Sequence, residues 1–346
     1  MTPRSYCLLT LTLTVLGLGS AALLNLVIDP YGQYGTGVFP VIVQSSRTQK
    51  LDLLEELEAA PDGLILGSSR VMKIEPSYLE SKTGRTFFNA GVSHGRPLDF
   101  VAIVRWYHQR WNAFPKVVII GVDSASLSAV VPIDARIATE MRLAETVSEA
   151  ITWKDYFSRT FELLGFKQLR SSISSLQATL RHRGTPQAVE HFKPDGQIVY
   201  RQREEQIREG TYDFESALQY SEREFTEIYH AFNSVSGPEA IRLVEAVKLL
   251  RQHGTQVYLF VTPFHPTMIE HLSQYSNFVS REAEAKQLIR LLSIHHGAIA
   301  ADVSDLSSFG GDPEQFVDGI HPLESNTRKL IEHLLNSQGS PQYAFQ

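Results

Sequence analysis

The sequence predicts an α/β protein: an open parallel sheet of about five strands covered on both faces, interrupted by a large insertion and preceded by one membrane-spanning helix. Three observations lead there. From about residue 61 onward, short apolar runs alternate with segments whose apolar residues recur at helical spacing. The clearest run, Val117-Val118-Ile119-Ile120, is continuous rather than alternating, as a parallel strand buried on both faces must be. Residues 6–28 carry no charge and consist mainly of Leu, Val, Ala and Thr, so they can cross a bilayer as a helix.

Residues 6–28 are long for a secretory signal. Gly19-Ser20-Ala21 offers a small-residue cleavage point, but apolar residues continue beyond it, which favours a retained signal anchor. Arg4 ahead of the span and Asp29 behind it orient the N-terminus to the cytoplasm and the body outward, as in a single-pass inner-membrane protein facing the periplasm. A turn-rich stretch, 29–37, leaves the membrane, and 48–60 is polar and helix-prone.

Leu64-Ile65-Leu66 reads as a strand ending at Gly67, and Thr86-Phe87-Phe88 as another, ending at Asn89-Ala90-Gly91. Residues 97–114 have helical spacing, with Pro97 suited to a first turn. After strand 117–120 the pattern breaks, from about 124 to 237. That region carries helical stretches, a hairpin at 191–200 turned by Pro194-Asp195-Gly196, and a charged run at 201–208 that reads as a solvated helix face. Helix 238–252 then leads to strand 256–261, helix 280–294 to strand 298–303, and 324–335 is the last helix.

The expected organisation is therefore an anchor at 1–28, a linker with a leading helix at 29–60, a core in two parts at 61–125 and 238–338, and a tail at 339–346. Between the core parts, 126–237 is too long for a simple loop and reads as a cap or lid near the strand ends. The alternation predicts a flavodoxin-like, three-layer arrangement with its ligand site at the carboxyl ends of the strands.

Composition removes several functions. The chain has 346 residues, 43% hydrophobic and 20% charged, which suits a globular body and not a disordered one. A net charge of −6 without a basic stripe argues against nucleic acid as a partner. The single cysteine, Cys7, lies in the apolar run, so no disulfide framework or cysteine-based metal site exists. His295-His296 with Asp302 lacks the i, i+4 spacing of paired ligands, and neither a metal nor a cofactor is expected.

The chemistry sits at the strand ends. Asp318-Gly319-Ile320-His321 places an acid three residues ahead of a histidine, a spacing that can present both side chains on one side of a turn. Far upstream, Gly67-Ser68-Ser69-Arg70 closes a strand with serines. A hydroxyl is a weak nucleophile near neutral pH, so His321 is assigned as the base for Ser69 and Asp318 as the group that orients it. The backbone N–H groups of Ser69 and Gly91 are the expected oxyanion donors. Ser68, Arg70 and Asn89 are candidate pocket residues beside them. His94 and Arg96 either line the pocket or serve structure, and His265 either forms a pocket wall or is a plain loop residue.

With Gly67-Ser68-Ser69, Asn89-Ala90-Gly91, Gly121-Val122-Asp123 and Asp318-Gly319-Ile320-His321 in that order, the chain resembles the SGNH (GDSL-like) hydrolase superfamily over about 61–123 and 238–335. That resemblance implies a nucleophile at Ser69, with Ser68 replacing the family's Asp. A Gly-Ser-Ser version occurs in membrane-anchored relatives that modify envelope polymers, among them alginate O-acetylation and D-alanine transfer proteins. The family's Gly-x-Asn-Asp block departs here: Asp123 stands where the Asn donor belongs. A carboxylate repels a developing oxyanion, so Asp123 must be protonated, turned away, or paired with a cation such as Arg70 or Arg96.

The resemblance implies a membrane-tethered serine esterase or O-acyltransferase, acetyl being the expected group, acting on an extracytoplasmic carbohydrate polymer such as an exopolysaccharide. A membrane-bound acyl-exporting protein is a further expected partner. Two other readings stay open: a catalytically inactive glycan-binding or scaffold protein of an export complex, and a lipid esterase.

Overall fold

The computed structural model describes residues 2–337, apart from 32–33, 35, 37, 40–42, 129–136, 138–139, 152–162, 181–186, 189–190 and 236. The expected tail, 339–346, lies outside the described residues, as does part of 126–237. The chain forms two compact units, and the division falls inside the region 126–237 rather than at its borders.

The first unit comprises Met1–Thr48 and Ile133–Val189. Its N-terminal helix, Pro3–Ile28, opens with Pro3 and a Thr2 hydroxyl that accepts the Ser5 amide, and closes on Asp29 in the left-handed region (φ 44°). Its 26 residues rise 1.5 Å each to about 39 Å, more than the ~30 Å hydrocarbon thickness of a bilayer. With a mean hydropathy of 2.1 and an apolar surface left uncovered, the helix is long and apolar enough to cross a membrane. Helix Phe166–Leu180 packs against it, and Val43–Gln44 pairs in parallel with Gln187–Ala188.

The second unit comprises Gln49–Pro132 and Glu190–Gln346. Its sheet has five parallel strands: β1 Gly63–Leu66, β2 Phe87–Asn89, β3 Val117–Val122, β4 Gln256–Val261 and β5 Ile299–Ala301. The spatial order is β2-β1-β3-β4-β5, consistent with the flavodoxin-like arrangement that the alternation predicts. In register, Leu64 lies between Phe88 and Val118, and Ile120 lies beside Leu259. The direction of winding reverses between β1 and β3, which opens a crevice at their carboxyl ends.

Every residue of β1 and β3 is buried, so both faces of the sheet are covered. On one face Ile65, Ile119 and Phe260 join Leu79 of helix Pro76–Thr83 and Leu330 of helix Glu324–Asn336 in one core. Alternation along each strand turns Leu64, Val118 and Leu259 the other way. Right-handed crossovers put helices Pro97–Trp111 and Pro238–Gln252 there, and these two pack on each other.

The element types match the expectations, and the boundaries differ where local geometry intervenes. The helix expected at 97–114 stops at Trp111, because Asn112 turns left-handed (φ 50°) and its N–H bonds the His108 carbonyl at 2.8 Å. Strand β2 runs one residue later than expected, since Asn89 is in register with Ile65 and the Ala90 N–H donates to Ile65 O at 2.9 Å.

Two glycines bring the chain close enough to form the turn after β1. Gly67 has φ 156°, and a Cβ there would sit 2.7 Å from Val71 Cγ2 and 2.8 Å from Gly121 O. A Cβ on Gly95 would fall 2.3 Å from Gly67 O, so the loop beyond β2 lies directly on that turn. Gly95→Ala is expected to lower stability by about 1–3 kcal/mol, the range for forced overpacking. Thermal unfolding of the detergent-solubilised chain measures it, and an unchanged midpoint would contradict the contact.

Candidate active site

Ser69 begins a one-turn helix, Ser69–Val71, directly after the Gly67 turn. Ser68 caps that helix: its buried Oγ accepts the Arg70 N–H at 3.2 Å, so Ser68 is a structural residue and not a pocket wall. Ser69 itself stays half-buried at the carboxyl end of β1. Its own N–H, at the helix start, meets no acceptor among the described residues.

The turn holding Asp318 and His321 is closed by a bridge between Phe316 and Pro322 and by the Val317 N–H on His321 O at 2.9 Å. Inside it, Asp318 Oδ1 accepts the N–H groups of Ile320 and His321, both at 2.9 Å. An aspartate that bonds the backbone ahead of it fixes its own carboxylate toward the residue three positions on. His321 Nδ1 lies 2.8 Å from Asp318 Oδ2, and His321 Nε2 lies 2.8 Å from Ser69 Oγ across 252 residues of sequence. With Asp318 ionised, Nδ1–H donates to the carboxylate, and Nε2 is left to accept the serine proton.

Burial pushes the Asp318 carboxyl up, but the His321 charge, its ring N–H and the two backbone amides outweigh burial and bring it down to about 2. A further cation, Arg203, places Nη1 3.6 Å from Asp318 Oδ2. The run 201–208 is exposed, as expected, yet it reaches inward at two points. Beside Arg203, Glu204 pairs with Lys73, a buried ammonium that also donates to Glu324 at 2.7 Å.

Several candidates turn out to hold the site rather than line it. Asn89 is fully buried: Nδ2 donates to Val71 O and Ile74 O, both at 2.9 Å, and Oδ1 accepts the Gly91 N–H at 3.1 Å. That corrects two expectations, because Asn89 is no pocket residue and the Gly91 amide, expected to face an oxyanion, is engaged inside the protein. Arg96 is buried at the start of helix Pro97–Trp111, where Nη2 donates to Ser126 O at 3.0 Å and Ser128 O at 2.7 Å. His94 is exposed in a turn with φ 51°.

Arg70 points away from solvent, 3% exposed, with Nη2 on the carbonyls of Thr262 (2.9 Å) and Pro263 (2.7 Å) and its guanidinium 3.8 Å from the centre of the Phe264 ring. Asp123 faces it: Oδ1 lies 3.5 Å from Arg70 Nη1 and accepts the Thr262 hydroxyl at 2.6 Å. Of the alternatives open for Asp123, the structure takes the ion pair with Arg70. His265 accepts the Thr267 N–H at its Nδ1 (3.2 Å) and so caps helix Pro266–Tyr275. Its ring is also a wall of a cavity of about 380 Å³, with Ile207, Tyr212, Phe214, Phe316 and Leu323, beside the stem of the Asp318 turn. Burial lowers the His265 pKa and favours the neutral ring.

No protein-family model matches this sequence, and no curated protein matches it either.

Sequence reasoning missed Arg203, and it gave Thr262 no role beyond the strand-end loop that holds His265. A signal existed only for Thr262, which follows the last residue of β4 as strand-end site residues do. Nothing local distinguishes Arg203 from the other charges of its helix.

Because Asp318 is already ionised above about pH 2, it stays charged throughout any working range. The acid limb of a pH–rate profile should therefore contain no ionisation of Asp318. Asp318→Asn should lower kcat roughly 10³–10⁴-fold, while an acid-limb ionisation that disappears in Asp318→Asn would contradict the assignment. Asp123→Asn strips the buried Arg70 of its counter-charge and should cost about 1–3 kcal/mol of stability. Turnover should change less than tenfold, since Asp123 is turned to Thr262. A larger loss of turnover at unchanged stability would give Asp123 a direct chemical role.

Proposed function

We propose that the protein is a membrane-tethered, SGNH-like serine esterase or O-acyltransferase that handles a small acyl group, acetyl in the first instance, on an extracytoplasmic carbohydrate. One observation carries this reading: Ser69 Oγ, His321 and Asp318 stand in a continuous hydrogen-bonded line, with 2.8 Å at each link, at the carboxyl ends of the sheet. Attack of Ser69 Oγ on the acyl carbon passes its proton to His321 Nε2. The unclaimed Ser69 N–H is the first donor to the oxygen that becomes negative. His321 then returns the proton to the leaving alkoxide, and a sugar hydroxyl or water, deprotonated in turn by His321, takes the acyl group from Ser69. The cavity beside the turn, lined by Tyr212, Phe214, Phe316 and Glu314, offers flat aromatic faces and a carboxylate, surfaces suited to a sugar ring. The long apolar helix supports the tether, and Arg4 ahead of it with Asp29 behind it favours an extracytoplasmic body.

The engaged Gly91 amide favours one rival, a glycan-binding or scaffold protein that keeps the cleft without turnover. A serine-reactive fluorophosphonate separates the two, because a scaffold has no need of an activated hydroxyl. The full-length chain in detergent is expected to be labelled at Ser69 and to release acetate from an activated acetyl ester. Ser69→Ala should abolish labelling and lower turnover at least ~10³-fold with the fold retained. A folded protein that neither labels nor turns over supports the scaffold. Turnover that survives in Ser69→Ala but is lost in Ser68→Ala moves the nucleophile by one residue.

A further inference from the structure

Helix Phe166–Leu180, in the first unit, buries polar side chains and exposes large apolar ones, with Arg170, Ser174 and Gln177 also exposed beside them. Gln168, Ser172 and Ser175 are buried (5%, 0% and 0% exposed), whereas Phe166, Ile173 and Leu180 are 80%, 44% and 72% exposed. The three apolar residues recur every seventh position and therefore form one stripe, and the buried polar three fall on a different face. The polar side is turned to the anchor helix: Ser172 Oγ donates to Asn25 Oδ1 at 2.7 Å, and Asn25 Nδ2 donates to Leu163 O at 2.6 Å. Just past the anchor's end, the Tyr31 hydroxyl meets Ser171 Oγ at 2.7 Å.

In water this arrangement leaves large apolar side chains in contact with solvent. In lipid both the outward apolar residues and the inward, hydrogen-bonded polar ones are favourable. Helices there associate through small residues and interhelical hydrogen bonds, turn their large apolar side chains outward, and hold a polar residue such as Asn25 only where a partner satisfies it. The apolar stripe is also continuous in kind with the anchor, whose Leu23 and Val27 are exposed beside the same junction (61% and 40%). The helix has 15 residues, about 22 Å at 1.5 Å each, which is short of a ~30 Å hydrocarbon layer. Its contacts lie at the C-terminal end of the anchor, at Asn25 and Tyr31.

We infer that helix Phe166–Leu180 is a second membrane element, which does not span but lies in the leaflet where the anchor emerges, its Phe166–Ile173–Leu180 stripe covered by lipid acyl chains. The inference rests on insertion of the anchor and is independent of the chemistry at Ser69.

Single cysteines at Phe166, Ile173 and Leu180, in a full-length Cys7→Ser chain reconstituted into phosphatidylcholine–phosphatidylglycerol vesicles, test it when nitroxide-labelled. Leu16→Cys on the anchor and Tyr220→Cys on the other unit give the lipid and aqueous references. All three sites lie on exposed surface, so the substitutions leave the Asn25–Ser172 contact intact. The ratio of collision with oxygen to collision with a water-soluble nickel complex should shift at all three sites to the value at Leu16. Values like that at Tyr220 overturn the inference. So does shielding from both reagents, which would mean that protein, such as a second copy of the chain, covers the stripe. If Leu16 itself reads as aqueous, the anchor is not inserted and the inference falls with it, while labelling of Ser69 by fluorophosphonate is unaffected.

Discussion

Parallel strands buried on both faces end in backbone groups that no ladder partner satisfies, and the site depends on how those groups are met. Asn89 is the central answer. Its amide ties the carbonyls of Val71 and Ile74, just beyond Ser69, to the Gly91 N–H in the loop after β2. Lys50, also buried, donates to Asn89 O at 2.7 Å from a different part of the chain. Ser69 is thus presented on a turn whose position is set by hydrogen bonds to β2 and its loop, not by the chain's own local preference. A serine held this firmly needs little reorganisation to meet a histidine delivered by a turn 252 residues away.

The charge placed behind that turn follows from the same burial. Arg70 is taken out of water beside Ser69 and has two acids around it, Asp123 by contact and Glu282 through its field. Glu282 is buried, whereas the Asp123 side chain keeps 14% of its surface exposed. Burial raises Glu282 toward its neutral form, while the Ser124 hydroxyl at 2.6 Å and Arg70 pull the other way. Asp123 keeps the ion pair and the Thr262 hydroxyl. Its position in the sequence suggested interference with a developing oxyanion; its geometry makes it part of the brace for the strand ends.

The first unit follows a different solvent logic. Helices Pro3–Ile28 and Phe166–Leu180 bury Asn25, Gln168, Ser172 and Ser175 while leaving leucines, Ile173 and Phe166 exposed, whereas the continuous apolar strands of the sheet-bearing unit are covered completely. The average composition conceals this contrast, since 43% hydrophobic residues suit a globular body. With helix Phe166–Leu180 in lipid, as inferred above, two solvents acting on two parts of one chain account for the contrast.

What the sequence determined by itself was the set of elements and the identity of the chemical groups. Continuous apolar runs at 64–66 and 117–120 mark strands buried on both faces, and Asp318 three residues before His321 is a local spacing that makes its own turn. These are short-range effects, in which neighbours in sequence are neighbours in space. The tertiary structure decided everything that joins distant segments. It turned Asn89 inward, engaged the Gly91 amide, set Arg203 against Asp318 and paired Asp123 with Arg70. It also split the region 126–237 between two units and aimed the polar face of Phe166–Leu180 at Asn25. Hydrogen bonding capacity belongs to a residue type, but which partner satisfies it depends on what burial brings within about 3 Å, and no local pattern carries that information.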